Sequence, residues 1–165
     1  MLTRLLLLSL ITASLTVVAG CGTTERSGNL GDTLAAEGLE VTVREVDTSV
    51  PVPKVDVTGL SRPAPGKQLV GARVRVCSAH GGATGPYDFG LETTSDDHGT
   101  LKYPERNYEQ SFESLREGCG EGWVVFEIPV GSQPDRVTFG FEDTGSAAQP
   151  QTQVDARFSW AVSPG

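Results

Sequence analysis

Few side chains in this sequence could do chemistry. Three cysteines (Cys21, Cys77 and Cys119) and two histidines (His80 and His98) are all the thiols and imidazoles of the 165 residues. A catalytic site of the nucleophilic kind needs a nucleophile, a base and a group that orients the base. His80 lies in a Gly-rich stretch and His98 in a polar one, neither inside a catalytic motif, and no Gly-x-Ser-x-Gly elbow occurs. Asp96-Asp97-His98 holds metal-ligating atoms, but adjacent residues seldom aim them at one point, and no Asp-x-Asp-x-Asp-Gly calcium loop is present. It reads as an exposed turn. Gly118-Cys119-Gly120-Glu121-Gly122 has the glycines of a phosphate-cradling loop without its lysine. It reads as turns around a crosslink. An envelope enzyme or metal-handling protein built on His80 or His98 is the alternative reading, with no motif behind it. The expectation is therefore no enzyme, no cofactor and no metal.

The N-terminus explains the first thiol. Arg4 supplies a positive start, and Leu5–Val18 is an apolar run broken only by Ser9, Thr12, Ser14 and Thr16. Fourteen positions fall short of the ~20 apolar residues that cross a bilayer. A short run, one leading cation and small residues after it make a secretory signal peptide over residues 1–20. Val18-Ala19-Gly20-Cys21 resembles the bacterial lipobox: an aliphatic residue, two small residues, then cysteine. The resemblance implies diacylglycerol on the Cys21 thiol, cleavage before it and a palmitate-bearing new N-terminus. The chemistry uses a thiol because it is the strongest side-chain nucleophile near neutral pH, and two or more acyl chains hold a protein stably at a membrane. The expected address is the extracytoplasmic face of the cell membrane.

With Cys21 assigned, Cys77 and Cys119 remain, in an oxidising compartment where thiols pair. They lack the Cys-x-x-Cys spacing of a zinc site. A disulfide between them would close 41 intervening residues and contribute about 4 kcal/mol by chain entropy. Cleavage also removes Arg4, leaving 12 basic residues against 21 acidic, a formal charge of −9. That balance excludes nucleic acid as a partner, because affinity for phosphates rests on Lys and Arg, and excludes adhesion to anionic lipid by bulk charge.

These residues need a scaffold, and the chain spells one in period-2 alternation. Residues 39–44, 70–76, 87–92, 124–128, 137–141 and 156–162 each alternate apolar with polar or small residues. Six such runs between Gly/Pro/Asp-rich stretches predict an all-β antiparallel sandwich of the immunoglobulin-like kind, about seven strands, over residues 32–163. Residues 21–31 read as a lipidated flexible tether. Lys54–Thr58 could add an edge strand between prolines. Ser95–Thr100 would turn the 87–94 strand back into a short Leu101–Tyr103 strand as a hairpin. Pro104–Gly118 reads as a short helix or a covering loop, with Tyr108, Phe112 and Leu115 at helical spacing. Phe139, Phe141, Phe158 and Trp160 fall on inward parity. Cys77 and Trp123 fall on outward parity, so the crosslink reads as a staple from strand end to loop.

The order of these features resembles a known group. Gly-Asp-Thr-Leu at 31–34 precedes a strand, Pro-Gly-Lys-Gln-Leu-Val at 65–70 leads into another, and Tyr-Asp-Phe-Gly-Leu at 87–91 precedes Gly99 and Tyr103. Gly-Cys-Gly-Glu-Gly-Trp-Val-Val-Phe-Glu-Ile-Pro at 118–129 follows. Residues 31–162 thus resemble the telokin-like, immunoglobulin-like domains of lipoproteins and secreted antigens of Gram-positive bacteria, especially actinobacteria. The resemblance implies the sandwich fold and transfers no catalytic residue.

A filled sandwich leaves recognition to its ends and loops. The expected activity is binding of an envelope protein or ligand, through a surface of His80, Arg106, Tyr108 and Trp123. Trp123 is then either covered by the 104–118 segment or free to anchor that partner. The anchor can be checked separately: Cys21→Ala should abolish metabolic labelling with a palmitate analogue, and equal labelling of variant and parent would refute lipidation.

Overall fold

Alternation of the kind described forces one face of each strand out of water, and two such faces bury each other. In the computed structural model, residues 24–36, 38–48, 50, 62–79, 84–95, 97–101, 111–142 and 155–162 are described. Among them are nine strands: β1 Thr24–Asn29, β2 Thr33–Ala36, β3 Leu39–Asp47, β4 Lys67–Ser78, β5 Phe89–Thr93, β6 Thr100–Leu101, β7 Gly118–Pro129, β8 Pro134–Glu142 and β9 Asp155–Ala161. One 3₁₀ turn spans Pro86–Asp88. The strands form two sheets, in the order β1-β9-β8-β5 and β2-β3-β4-β7-β6. The chain is an all-β sandwich, as expected.

Both sheets put their apolar parity inward. Val70, Ala72, Val74 and Val76 of β4 and Val124, Phe126 and Ile128 of β7 are fully buried. The facing sheet and the segment before β7 contribute a row of rings. Phe112, Phe89, Phe139, Phe158 and Trp160 follow one another with centroids 5.9, 5.0, 5.9 and 6.1 Å apart, three of the four pairs edge-on. Such pairs add ~0.5–1.5 kcal/mol each beyond area burial. Phe141 lies in β8, but its side chain is outside the described residues.

Four expectations need correction. Residues 24–29, expected as flexible tether, form β1, which pairs with β9 from Thr24↔Ala156 to Asn29↔Ala161. That pairing is parallel, so the sandwich is not wholly antiparallel. The polar sequence hid this strand because an edge strand needs backbone partners more than apolar side chains. The hairpin after β5 closes only at its turn, where Glu92 bridges His98. The chain then changes sheets, and β6 pairs with β7 at Thr100↔Glu127 and Leu101↔Phe126. β7 begins at Gly118, six residues before the run read from alternation, because glycines at 118, 120 and 122 blank the pattern. Cys119 therefore stands on a strand and not in a loop.

Of the two readings of the 104–118 segment, the described part is the covering one. Residues 104–110 lie outside the described residues, as do 51–61 with the Lys54–Thr58 candidate strand. Residues 111–117 are not helical. Ser111 bridges Trp123 and Leu115 bridges Thr84, so the segment is an extended cover. Its Phe112 and Leu115 press on the inward side of β7 at Gly120, where an added Cβ would lie 2.8 Å from Leu115 Cδ2. Among the described residues, Trp123, on the other face, packs with Val50, in a small outer cluster with Leu69 and Val125.

Gly71 is the floor of that outer cluster. An added Cβ there would meet Val50 Cγ2 at 2.7 Å and Trp123 Cε3 at 2.9 Å. Gly71→Ala should therefore cost about 1–3 kcal/mol by overpacking and lower Tm by several degrees in calorimetry. An unchanged Tm would show that Val50 does not seal this face.

Candidate functional site

The chemistry of this chain collects on the outer face of the larger sheet. Alternation turns Arg73, Arg75 and Cys77 of β4 outward while Val74 and Val76 point in. β7 does the same with Cys119, Glu121 and Trp123. The β4–β7 register sets Cys77 against Cys119, Arg75 against Glu121 and Arg73 against Trp123. Cys77 and Cys119 form a disulfide with Cα atoms 4.0 Å apart. That is the narrow spacing of a non-hydrogen-bonded antiparallel pair. The bridge is thus a rung across two neighbouring strands, and the strand-to-loop staple expected above is corrected. Cys119 is exposed and Cys77 half-buried.

Above the bridge, Glu121 collects arginines. Its carboxylate lies 3.0 Å from Arg73 and 3.2 Å from Arg44, and Arg73 also reaches Glu45 at 3.7 Å. These groups are partly exposed, so each pair contributes little stability; the network fixes side-chain positions instead. Arg75 makes no such pair. Its Nη2 lies 3.7 Å from Cys119 Sγ.

A groove of about 590 Å³ opens beside the bridge, with Arg26, Leu39, Glu40, Arg75, Cys77 and Cys119 among its lining. Arg26 comes from β1, the edge of the other sheet, so the groove lies at the end of the sandwich where β1 starts. A shallower groove of about 310 Å³ continues along Glu25, Arg26 and Arg157 on β1 and β9. Among the described residues, no carboxylate is within ion-pair distance of Arg26, Arg75 or Arg157. Three unpaired guanidiniums on so acidic a domain make these grooves suited to an anion.

Of the residues expected to bind, the structure joins Cys77 with Cys119 and places Trp123 on the same face. Trp123 is not beside the bridge: Glu121 and its arginines lie between, and the indole is packed in the outer cluster. His98 is exposed beyond β5. It neighbours Thr100, which pairs with Glu127, eight positions along β7 from Cys119, or about 27 Å at strand rise. Cys21, His80, Arg106 and Tyr108 lie outside the described residues. Among the described residues no cluster of three or more His, Cys, Asp or Glu could hold a metal ion, and no helix is long and apolar enough to cross a membrane. Arg26, Arg44, Arg75 and Glu121 escaped the sequence reading. The outward stripe Arg73, Arg75, Cys77 was legible in the alternation. That Arg26 joins it from another sheet was not.

No family model matches the chain, and no curated protein matches it. Solved structures do. MPT63, a secreted protein of Mycobacterium tuberculosis, matches 86% of this chain and 100% of its own at 15% identity and a TM-score of 0.53. A candidate lipoprotein of Bacillus subtilis, ycdA, matches 78% of this chain at 16% identity and a TM-score of 0.53, over 38% of its own length. The yjhA protein of Bacillus subtilis matches 81% of this chain and 99% of its own, at 16% identity and a TM-score of 0.51. These likenesses show the β-sandwich fold, shared with a secreted protein and a candidate lipoprotein.

One carboxyl near this end is perturbed. Burial raises the Asp88 pKa above the ordinary carboxylate value, partly offset by the hydrogen bond that Gly85 N–H donates to its Oδ2 at 2.7 Å. A folded pKa above the unfolded one means that stability is fullest below the unfolded value of about 3.9 and declines as pH rises through the folded value. Asp88→Asn keeps an oxygen for Gly85 and removes the charge. The variant should melt higher than the parent at pH 7, with the difference closing below about pH 4. A constant difference across that range would contradict burial as the cause.

Proposed function

We propose that this chain is an exported lipoprotein whose sandwich is held by lipid on Cys21 at the outer face of the cell membrane and works there as a binding module. The observation that carries the reading is where the fold begins. β1 starts at Thr24, three residues after the lipobox cysteine, and three peptide units reach at most about 11 Å. The domain is then held close to the bilayer by the end that carries the disulfide and its groove. The likeness in fold to a candidate lipoprotein and a secreted protein supports an extracytoplasmic address. The motifs at 31–34, 65–70, 87–91 and 118–129 support membership of the telokin-like, immunoglobulin-like group.

Binding is favoured over catalysis by how the interior is used. Rings and aliphatic side chains fill the space between the sheets, and the grooves described lie at strand edges. Their lining brings the guanidiniums of Arg26, Arg75 and Arg157 together, so an anionic ligand or an acidic protein surface fits them. The chain from Gly22 onward contains every described strand. Used as bait on envelope extracts, it should retain a partner that elutes with salt. Arg26→Gln, Arg106→Gln and Tyr108→Ala should each weaken retention without changing the circular dichroism spectrum. Trp123 is a poor choice here, because its packing under Val50 makes its loss a folding defect. Unchanged retention in all three variants would overturn the reading.

A further inference from the structure

The arginines on the outer face are used unevenly, and the exception points at sulfur. Arg75 stands directly opposite Glu121 in the β4–β7 ladder, the arrangement in which a cross-strand ion pair would form. Glu121 is instead held by Arg73, two residues along β4 from Arg75, and by Arg44 on β3. Arg75 is thereby left to Cys119 Sγ, 3.7 Å from its Nη2. On the other side of the bridge the sign reverses: Cys77 is the register partner of Glu40 on β3. One sulfur of the disulfide faces a cation and the other neighbours an anion. A nearby cation stabilises a thiolate, and the thiol of lower pKa leaves faster in exchange.

Two further observations concern access and necessity. Both cysteines line the groove, whose described lining includes Arg26 and Arg75 against a single carboxylate, Glu40. The bond is not what keeps β4 on β7, because the ladder runs unbroken from Lys67↔Pro129 to Ser78↔Gly118. It can open while the sheet stays paired.

We infer that Cys77–Cys119 is a thiol–disulfide exchange site for anionic thiols, in which Cys119 is the leaving thiolate. An incoming thiolate bonds to Cys77 Sγ. The Cys77–Cys119 bond breaks, and its electron pair stays on Cys119 Sγ beside the Arg75 guanidinium. A second thiolate then attacks the outer sulfur of the mixed disulfide and frees Cys77. Two external thiols have become one disulfide, and the protein has taken up two electrons and, at the sulfurs, two protons. Arg26 and Arg75 favour a thiol that carries a negative group. None of this requires lipid on Cys21, so the inference and the anchoring can fail separately.

The test uses oxidised protein from Gly22 onward with 2-mercaptoethanesulfonate or cysteamine, compared at equal thiolate concentration. Samples are acid-quenched, alkylated and mapped by mass spectrometry. The expected first product carries the added thiol on Cys77 and the alkyl group on Cys119, and forms faster with the anionic reagent. Arg75→Gln should slow this step roughly threefold or more, and Arg75→Lys should restore most of the rate. Arg26→Gln should narrow the preference for the anionic reagent without changing which cysteine leaves. An adduct on Cys119, an Arg75→Gln rate equal to the parent's, or a bond that opens only in denaturant would each overturn the inference. Circular dichroism of each variant separates a chemical effect from a folding one.

Discussion

The pairing of β4 with β7 is the constraint from which the rest of the molecule follows. It is the longest ladder among the described residues, in register from end to end, and each strand has a role on both faces. Inward, it sets Val70, Ala72, Val74 and Val76 beside Val124, Phe126 and Ile128 as one dry surface. Outward, the same register decides that sulfur meets sulfur, that Arg75 meets Glu121 and that Gly71 meets Val125. A slip of one residue would turn the buried row to solvent. Under the native pairing, the small residues Gly120 and Gly71 fall where Leu115 and Trp123 need room. Core, cover and surface chemistry are therefore fixed by one alignment.

A second tie joins the N-terminal strand to this frame. The Trp160 indole is fully buried, and its N–H donates to the Asp32 carbonyl at 3.0 Å. Asp32 in turn accepts the Asn29 N–H through Oδ2 at 2.8 Å, and the Gly31 N–H reaches Val43 O at 2.8 Å. The turn from β1 to β2 is thus bonded to both sheets. An indole N–H left unsatisfied in a core costs about 1–3 kcal/mol, so the turn is held by a requirement of the core. β1 has few apolar residues of its own. Its place comes from this turn and from its backbone pairing with β9, and it brings Arg26 to the end of the sandwich where the bridge lies.

How much of this could be read from the sequence depended on whether side chains carried the signal. The six runs of alternation gave the fold class and most of the core, because burial on one face leaves a period of two. The bridge was legible from cysteine number and compartment, and its outward parity from Val74 and Val76. Three things were written in backbone and distance instead. β1, with the sequence Thr-Glu-Arg-Ser-Gly-Asn, has the composition of a linker. The start of β7 is masked by three glycines, of which Gly120 is the one that Leu115 and Phe112 lie against. The change of sheet after His98 depends on which strand β6 finds, and no local pattern encodes that. The candidate groove needs the first two, β1 for Arg26 and the start of β7 for Cys119, which is why its residues could be found singly but not as a group.

The electrostatics then acquire a direct explanation. The domain is strongly acidic, so an arginine left unpaired is surrounded by carboxylates that could have taken it. Arg75 has Glu121 straight across the ladder and still has no carboxylate, because Arg44 and Arg73 reach Glu121 first. The bulge between Val43 and Glu45 on β3 explains how. An extra residue in one strand shifts the side chains beyond it, leaving Arg44 without a register partner on β4 and placing Glu45 against Arg73. Arg44 can then swing toward Glu121. A local irregularity in β3 thus redirects a cation on β4 to the one disulfide of the described residues. The same long register that makes the fold robust keeps that disulfide at an accessible edge, where its sulfurs differ in charge environment although their strands are paired alike.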